Sequence, residues 1–595
     1  MSVISGPRAR KAPTVLLATV ASLAALTAVK PAISWAEETG SVQNASGVVF
    51  EDRNRNGRQD AAEPGVPDVS VSNGRDVVST DEEGRYNIGV DEQTIVFVTQ
   101  PAGYTVPVDE HQLPQFYYIH YPDGSPVETR YPGIAPTGPM PESIDFALHR
   151  STVGTDFTAL LFADPQTRTL AELEDLRADV VEELDGSAAS FGITAGDVVN
   201  DPLDLFGPHN EIVSTLGIPW WNLPGNHDMN YDVPDDTYST ETYKSVYGPT
   251  DYSFEYGDVH FVNLDNIDYL GQGRGYRGYL DPRRLEWLAN DLARVPADKL
   301  IVISTHIPLR TEAIGNQAQN TVNLQELFDI LEGREHVFST AGHDTSNSWQ
   351  MYLEPGEERP TPPGAQSAVW NGPKTFHHQV LAEVRGGGWK TGPTDERGIQ
   401  AADMADGNPN GYYFLSVDGH KYRMRYKPAS LPASFQSRIT MRGGVGNHEL
   451  ADGTPVWIPS GASGSKGISP TPWFAPADWR SAEQPVLEVN VFDGGIRHRV
   501  EARFDSGRFT PMENNPPVFG LTDGQPGGNL DTYIRTLREN LPGPERPVNP
   551  QPSSHIWTLP IPDRLGPGPH KVTVRSVDPY GRTSIATQRF EIRVP

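Results

Sequence analysis

Five short segments in the middle of the sequence carry side chains that bind transition metals. They are Asp164-Pro-Gln166, Gly196-Asp197-Val-Val-Asn-Asp201, Gly225-Asn226-His227-Asp228, Thr305-His306 and Gly342-His343. Carboxylates, an amide oxygen and imidazoles together suit Mn, Zn, Fe or Mg in sites with mixed nitrogen and oxygen ligands. Each segment alone is weak evidence, because a single Asp more often caps a helix and a single His is more often structural. Five in succession indicate a metal-dependent reaction centre.

Most of these segments follow an apolar run that has the length of a buried strand. The expected strands are 157–163, 193–199, 216–222 and 300–305, and the apolar periodicity predicts helices over 170–184, 284–292 and 324–331. Strands that alternate with helices favour an α/β sheet whose faces are covered. Because the loops beyond the carboxyl ends of such strands meet in one crevice, we expect the five segments to converge there.

The order and residue types of the segments resemble the calcineurin-like metallophosphoesterase family. Its pattern reads D-x-[HQ], G-D-x-x-x-D, G-N-H-[DE], H and G-H, and residues 156–384 carry it here. Asp265-Asn266-Ile267 and Gly407-Asn-Pro-Asn-Gly-Tyr412 are similar to segments of a secreted bacterial subgroup that has an extra domain on each side. The resemblance implies a four-layer metallophosphoesterase-like α/β sandwich as the catalytic domain.

The resemblance also implies two divalent transition metals, Mn, Fe or Zn, held by residues that match the family pattern. The implied ligands are Asp164 and Gln166 at the first metal, Asp197 between both metals, and Asn226, His306 and His343 at the second. His227, oriented by Asp228, would stand beside the scissile bond and protonate the leaving oxygen. Two metals ~3.5–4 Å apart can hold a bridging hydroxide for in-line attack on phosphorus, so no nucleophilic Ser or Cys is required.

Two positions depart from the family pattern, and both belong to the first metal. Gln166 stands where many relatives have His, and Thr345 stands where the usual G-H-x-H motif ends in His. An amide oxygen is a weaker ligand than an imidazole, and Thr345 is a poor replacement, although Asp344 offers a carboxylate if its loop shifts. These departures leave open a weak, exchangeable or single-metal site, and also an inactive one.

A second metal site is predicted near the N-terminus. Its residues match the spacing of a calcium loop at positions 1, 3, 5, 6, 9 and 12, namely Asp52, Asn54, Asn56, Gly57, Asp60 and Glu63. The alternative is a solvated acidic turn. No helices flank the loop, so it is not an EF-hand pair. It resembles the calcium-stabilised β-modules of bacterial surface proteins such as the Sdr B-repeat, which implies a structural role for calcium.

The chain is too long for one core, because single cores stop growing near ~250–300 residues. We expect a signal peptide (1–36), a β-sandwich module (40–110), a connector (111–151), the catalytic domain (152–425) and a C-terminal β-rich domain (426–595). The strands within 370–425 are assignable either to the catalytic domain or to the domain that follows it.

The leader and the composition predict a protein outside the cytoplasm. A basic start, an apolar stretch over 15–29 and Ser34-Trp35-Ala36 are typical of a cleaved secretory signal. The sequence has no cysteine, which excludes disulfides and a lipoprotein anchor. The formal net charge is −29, so nucleic acid is not an expected partner. We expect no stable membrane insertion after cleavage, and the oligomeric state is not predicted.

The leading hypothesis is a secreted metal-dependent hydrolase of phosphate mono- or diesters, acting on a small or cell-envelope substrate. The main alternative is a non-enzymatic surface or cell-wall binding protein on a degenerate phosphoesterase scaffold, which Gln166 and Thr345 favour. The remaining ligands favour the enzyme, since a binding module needs no such set. An exonuclease is disfavoured by the acidic charge.

Overall fold

The structure is a computed structural model of the 595-residue chain. It describes residues 43–152, 154–311, 316–359, 367–385, 392, 394–443, 448–458, 471–474, 484–514, 530–543 and 546–593. The signal peptide expected over residues 1–36 lies outside the described residues. Among the helices that are described, none has the length and apolar character needed to cross a bilayer.

The first part of the described chain forms a sandwich of two four-stranded sheets. Its strands are β1 (Gln43–Glu51), β2 (Ser70–Ser72), β3 (Val77–Ser79), β4 (Arg85–Val90), β5 (Thr94–Val98), β6 (Tyr104–Thr105), β7 (Tyr117–His120) and β8 (Phe146–Arg150). The sheet orders are β4-β1-β8-β6 and β3-β2-β5-β7. The expected connector over 111–151 therefore supplies one strand to each sheet. Its sequence has no clear alternation, which is why these short strands were not predicted.

The catalytic domain alternates strands and helices. Its elements are β9 (Asp156–Phe162), α1 (Leu170–Leu176), β10 (Phe191–Ala195), α2 (Phe206–Val213), β11 (Trp220–Leu223), α3 (Glu241–Tyr247), β12 (Tyr252–Tyr256), β13 (Val259–Leu264), β14 (Ile267–Tyr269), β15 (Tyr276–Gly278), α4 (Pro282–Leu292), β16 (Leu300–Thr305), α5 (Leu324–Leu331), β17 (His336–Ala341), β18 (Trp349–Leu353), β19 (Glu358–Arg359), β20 (Ala368–Val369), β21 (Phe376–Val380), β22 (Gly411–Asp418) and β23 (Lys421–Pro428). Beyond α1, helical turns continue to Leu184.

Two mixed sheets form the centre of this domain. One has the order β11-β10-β9-β22-β23 and the other the order β12-β13-β16-β17-β21-β18. Strands β9, β10 and β11 run parallel, and so do β13, β16 and β17. The carboxyl ends of each parallel set therefore lie at one edge of its sheet. Strand β21 adds to the second sheet, and β22 and β23 add to the first, so the described strands within 370–425 pair with the strands of the two central sheets.

Apolar residues of the sheets and helices are buried together in two clusters. Leu161 of β9 and Phe261 of β13 lie in the core between the two sheets. On the outer face of the first sheet, Leu160 packs with residues of α1 and α2 in a second cluster. Helices α4 and α5 contribute buried leucines to the first cluster, on the side of the second sheet. Burial of these apolar faces stabilises the sheets that position the loops.

The N-terminal module packs directly on the catalytic domain. The rings of Phe97 in β5 and Trp287 in α4 have centroids 6.1 Å apart. The hydroxyls of Thr99 and Ser253 are hydrogen-bonded at 3.0 Å. The apolar residues of the module belong to the same buried cluster as the inter-sheet core. The two parts thus share one continuous interior.

The C-terminal domain is a second β-sandwich, and one helix lies among its described residues. Its elements are β24 (Ser437–Arg442), β25 (His448–Glu449), β26 (Pro455–Trp457), β27 (Trp473–Phe474), β28 (Val486–Val491), β29 (Arg499–Phe504), β30 (Thr510–Pro511), β31 (Glu513–Asn514), α6 (Thr532–Asn540), β32 (Ile556–Pro560), β33 (Gly568–Val577) and β34 (Thr583–Ile592). The sheet orders are β25-β26-β24-β28-β32-β31 and β27-β34-β33-β29-β30. The sequence predicted that this domain is β-rich, but it did not predict helix α6.

Candidate metal centre

The five predicted segments lie at the carboxyl ends of five parallel strands. Asp164 follows β9, Asp197 follows β10, and the Asn226-His227 pair follows β11. From the other sheet, His306 follows β16 and His343 follows β17. Strands β9, β10 and β11 are neighbours, as are β16 and β17, so all five loops open on the same end of the sandwich.

The side chains of Asp197, His306 and His343 form a close cluster. One ligand atom from each lies within 4.8 Å of the others, and no other His, Cys, Asp or Glu trio in the described part of the chain does so. His306 Nε2 is 3.2 Å from Asp197 Oδ1, 3.2 Å from His343 Nδ1 and 3.1 Å from Asn226 Oδ1. All four residues are buried. The four residues expected at the second metal therefore converge on one point.

Hydrogen bonds outside the cluster fix the orientation of its imidazoles. His306 Nδ1 donates to the Ala195 carbonyl at 2.8 Å, which leaves Nε2 as the nitrogen that faces the cluster. The amide of Gln319 contacts His343 Nε2 at 3.1 Å and holds Nδ1 toward His306. Such partners set the tautomer and direction of a metal-binding histidine. Gln319, which lies in a short turn far from the motifs, carries no sequence signal of this role.

The electrostatics of the cluster follow from burial and from the mutual charges. Burial alone would raise the pKa of Asp197, but the imidazoles of His306 and His227 outweigh it and hold that pKa well below its usual range. Burial and the nearby His306 lower the pKa of His343 to about 3. At neutral pH Asp197 is thus anionic and His343 neutral, the forms that a metal requires. Burial lowers the pKa of His306, but Asp197 outweighs burial and raises it to about 9, so a metal ion has to displace a proton from that ring.

The backbone is strained where it carries the site. Asp164, Gln166, Asp197, Asp201 and His343 have φ values of 53°, 43°, 52°, 74° and 71°. They are five of the eleven non-glycine residues with positive φ in the described residues. This region is unfavourable for residues with a Cβ, and such strain concentrates at functional sites. The surrounding hydrogen bonds must therefore hold these loops against their local preference.

The residues at the first metal position fit a metal less well than the residues at the second. Gln166 Nε2 donates a short hydrogen bond to Asp197 Oδ2, so its amide hydrogens face the carboxylate that a first metal would share. This orientation is reinforced from behind, because Asn200 Nδ2 donates to Gln166 Oε1 at 3.4 Å and Arg168 Nε donates to Asn200 Oδ1 at 2.9 Å. The Gln166 oxygen is turned away from the site.

The loop after His343 does not supply a replacement ligand. The Asp344 carboxylate accepts hydrogen bonds from the Ser346 and Asn347 amides at 3.1 and 3.2 Å, so it caps its own turn. Asp164 accepts the His343 amide on both carboxylate oxygens, at 3.1 and 2.8 Å. The second position is thus well formed, and the first is occupied by hydrogen bonds among protein groups.

His227 lies beside the cluster and is oriented by Asp201. Its amide donates to Asp197 Oδ1 at 2.8 Å, and its Nδ1 lies 2.7 Å from Asp201 Oδ1. Burial lowers the pKa of His227, but Asp197 and Asp201 outweigh burial and raise it to about 9. The imidazole is therefore protonated at neutral pH, and Nε2 is free of the contact with Asp201.

The structure corrects the expected role of Asp228. Its carboxylate accepts three backbone amides, from Gly225 at 2.8 Å and from Val198 and Val199 at 3.1 Å. Asp228 thus ties the two loops together and does not orient the His227 ring. The signal for Asp201 was present in the sequence, because it is the second acid of the G-D-x-x-x-D segment.

The predicted calcium loop follows β1 and has its side chains turned inward. Asp60 Oδ2 accepts the amides of Asn54 and Asn56 at 2.7 and 3.0 Å. Asp52 Oδ2 accepts the Gly57 amide at 2.8 Å, and Glu63 Oε1 accepts a backbone amide at 2.8 Å. Gly57 has φ of 73°, as the sharp turn requires. The carboxylates of this loop do not form a close trio like the one at Asp197.

Known proteins similar to this chain include a probable phosphodiesterase and a phosphatase. A probable glycerophosphodiester phosphodiesterase from Arcobacter nitrofigilis is 29% identical over 166 residues, which are 25% of this chain and 55% of that protein. The match thus spans about half the length of the relative. A purple acid phosphatase from yellow lupin (Lupinus luteus) seeds has 10% identity and a TM-score of 0.32, over 65% of this chain and 67% of its own.

Three family models match successive parts of the chain. The model described as calcineurin-like phosphoesterase matches residues 157–393 and so includes all five metal-binding segments. The models for the N-terminal and C-terminal parts of calcineurin-like phosphoesterase match residues 53–132 and 384–583. Together the three models cover most of the sequence, in the order that the domains have in the fold. The chain belongs to the calcineurin-like phosphoesterase family.

Proposed function

We propose that the protein is a metal-dependent hydrolase of phosphate mono- or diesters that acts outside the cytoplasm. The observation that carries the proposal is the convergence of Asp197, His306 and His343 within 4.8 Å, with Asn226 at the same point and His227 beside it. A purely structural loop cluster has no need of two buried imidazoles that face one carboxylate. The family membership supports phosphoester hydrolysis as the reaction class.

The donor set supports one firmly held divalent ion. One carboxylate, one amide oxygen and two imidazoles suit Mn, Fe or Zn. A divalent ion there supplies Lewis-acid charge for a phosphoryl oxygen and for the attacking water. Because Gln166 directs hydrogens toward Asp197, we assign no step to a first metal. The two-metal arrangement expected from the resemblance is thereby reduced to one principal site.

His227 is proposed as the acid that protonates the leaving oxygen. Its Nδ1 is engaged by Asp201 at 2.7 Å, so the proton available to a substrate is on Nε2. Its side chain is 30% exposed, which leaves it accessible from the crevice. Because its backbone amide contacts Asp197, the imidazole lies within reach of a substrate phosphate bound at the metal site. Proton donation to the leaving group typically contributes about 10²–10⁴-fold in rate.

A non-enzymatic binding protein is the second candidate. Gln166 and Thr345 favour it, because both weaken the first metal position. Such a protein would hold a phosphate-bearing surface polymer at the crevice without cleaving it. The two candidates differ in one measurable property, because only the enzyme releases product from a phosphoester.

The location and the substrate class are proposed from the sequence. The N-terminal leader supports export, the acidic charge disfavours nucleic acid, and the lack of cysteine disfavours a lipid anchor. We therefore propose a small or cell-envelope phosphoester as substrate. The relative from Arcobacter nitrofigilis is named as a probable glycerophosphodiester phosphodiesterase, which makes diesters the first substrates to test.

Calcium is proposed as a structural ion of the N-terminal module. The loop has oxygen-bearing side chains at the calcium positions, and Gly57 has the positive φ that the turn requires. The module shares its interior with the catalytic domain, so a bound calcium would stabilise the fold without entering the reaction.

The deciding experiment is a panel of phosphate monoesters and diesters tested with Mn²⁺, Fe²⁺ or Zn²⁺. Wild type is compared with Asp197→Asn and with Asp258→Asn, a matched change at an exposed turn between β12 and β13. The enzyme hypothesis predicts turnover of at least one substrate, lost in Asp197→Asn and retained in Asp258→Asn. If neither wild type nor the variants release product from any substrate, and wild type binds a phosphate polymer tightly, the binding-protein hypothesis is favoured.

A further inference from the structure

The loop that carries His343 is held from behind by a buried aspartate. Asp406 N donates to the Ser346 carbonyl at 2.9 Å, and Asp406 Oδ2 accepts the Ser348 amide at 2.9 Å. Ser348 and Asp406 are both fully buried. Two hydrogen bonds from one residue therefore fix both ends of the short turn that follows the metal-binding histidine.

The same aspartate is paired with a histidine from the C-terminal domain. Asp406 Oδ2 lies 2.8 Å from His555 Nε2, and both side chains have 0% exposure. His555 directly precedes β32. Asp406 Oδ1 is used as well, since it accepts the Asn408 amide at 2.9 Å. The contact between the two domains at this point is a hydrogen-bonded pair closed off from water.

Hydrogen bonds hold both ring nitrogens of His555. Asn490 Nδ2 donates to the Asp406 carbonyl at 2.9 Å and to Asp531 Oδ2 at 2.8 Å, which assigns the direction of its amide. Asn490 Oδ1 therefore faces His555 Nδ1, at 2.8 Å. Because the other ring nitrogen contacts Asp406, the imidazole is fixed on both sides.

Gly407 allows this close approach of the two domains. It has φ of 87°, and a Cβ at this position would lie 2.3 Å from the Asp531 carboxyl carbon and 2.7 Å from Asn490 Nδ2. Any side chain here would therefore separate the loop from the C-terminal domain. This explains the glycine at the start of the Gly407-Asn-Pro-Asn-Gly-Tyr412 segment, which the phosphoesterase reaction does not use.

A second contact joins the loop to the same domain. Asn347 Nδ2 donates to the Pro552 carbonyl at 2.7 Å. Between Gly342 and Ser348 the chain is thus fastened to the catalytic sheets on one side and to the C-terminal domain on the other. Since His343 has φ of 71°, its backbone needs such restraint to keep the imidazole in the cluster.

We propose that His555 and Asp406 are positioning residues for the metal site, through which the C-terminal domain holds the His343 loop. The inference rests on the proposed cation at Asp197 and His343. It gives the C-terminal domain a function beyond packing: without the pair, the loop relaxes and the site loses one imidazole. Replacing a residue that supports a metal ligand through hydrogen bonds typically weakens metal binding by about 10–100-fold.

The test measures Mn²⁺ affinity of the full-length protein. Wild type is compared with His555→Gln and Asp406→Asn, and with Val572→Ala, which truncates a fully buried residue of β33 in the core of the same domain. We expect both network variants to bind Mn²⁺ about tenfold more weakly, near the lower end of the range for outer-shell partners. Val572→Ala should lower the melting temperature while Mn²⁺ affinity stays within about twofold of wild type. The visible spectrum of the Co²⁺-loaded protein should lose the contribution of one imidazole only in the network variants.

The outcomes separate this inference from the proposed function. If wild type binds no Mn²⁺, the cation site is wrong. If wild type binds Mn²⁺ and the network variants bind it equally well, the positioning role is wrong. It is also wrong if Val572→Ala weakens binding as much as His555→Gln. Should the network variants fail to fold, Asn347→Ala decides, with an expected loss of about threefold to fivefold from one hydrogen bond; unchanged affinity there would overturn the inference.

Discussion

The contact between His227 and Asp201 predicts a change in the pH dependence of turnover. Replacing Asp201 by Asn keeps an oxygen at 2.7 Å from Nδ1 but removes the negative charge. The pKa of His227 is about 9 with that charge in place, because Asp197 and Asp201 outweigh burial. An acid must be protonated to act, so turnover should fall as the pH rises through this pKa. Loss of the Asp201 charge lowers the pKa, and the fall should begin at lower pH.

The size of the shift follows from the exposure of the pair. Two charges about 4 Å apart interact by ~1 kcal/mol in water and ~4 kcal/mol near a protein surface. The Asp201 side chain is 56% exposed, which places the pair near the aqueous limit. An interaction of about 1 kcal/mol corresponds to slightly less than one pH unit. We therefore expect the alkaline limb of the kcat profile to move down by about one unit.

The assay is the pH dependence of kcat on the best substrate at saturating metal. Asp204→Asn serves as control, because Asp204 is an exposed acid three residues away and the charge change is the same. The control should reproduce the wild-type profile. An Asp201→Asn profile that superimposes on wild type would refute the assigned orientation of His227, and so would an equal shift in the control.

Three further predictions concern stability and metal binding. His260 is buried, but Asp291 at 2.7 Å and a second carboxylate outweigh burial and raise its pKa to about 9. At pH 6, His260→Gln should therefore have a free energy of unfolding in urea about 3 kcal/mol lower than wild type. This difference in stability should vanish as the pH rises through 9, because His260 then loses its charge. Calcium should raise the melting temperature of wild type but not of Glu63→Ala, and Glu63→Ala should keep its phosphoesterase activity. Equal changes in melting temperature for both proteins would show that the loop is an ordinary acidic turn. The double variant with Gln166→His and Thr345→His should bind about two Mn²⁺ ions per chain, compared with about one in wild type. Two ions bound to wild type would contradict the orientation assigned to the Gln166 amide.

The parts of the fold that sequence predicts well are those set by local apolar patterns. The helix expected over 324–331 and the strand expected over 300–305 have the predicted limits in the structure. Their apolar faces are continuous and their ends carry turn or polar residues, so local pattern and tertiary burial agree. The positions of the metal-binding segments follow from these strands, which is why the second metal set was recognisable.

The parts that sequence could not predict depend on contacts between distant residues. Strand β7 adds to the edge of a sheet formed by earlier strands, and β8 lies between β1 and β6 in the other sheet, so both depend on pairing with distant residues. The role of Asp228 in tying two loops is decided by backbone geometry that the motif does not encode. Asp201 stands in the G-D-x-x-x-D segment, but its contact with the His227 ring depends on how two separate loops meet. The Asp406–His555 pair joins residues 149 positions apart, and neither shows a local signal.

Turnover as a function of bound metal tests whether hydrolysis depends on the ion at Asp197 and His306. The protein is stripped with chelator, titrated with Mn²⁺, and its metal content and phosphodiester hydrolysis are measured on the same samples, for wild type and for His306→Ala. We expect hydrolysis to rise in proportion to the first bound ion, and His306→Ala to have neither the ion nor the activity. Full hydrolysis by the stripped protein, or by His306→Ala without bound metal, would contradict this expectation.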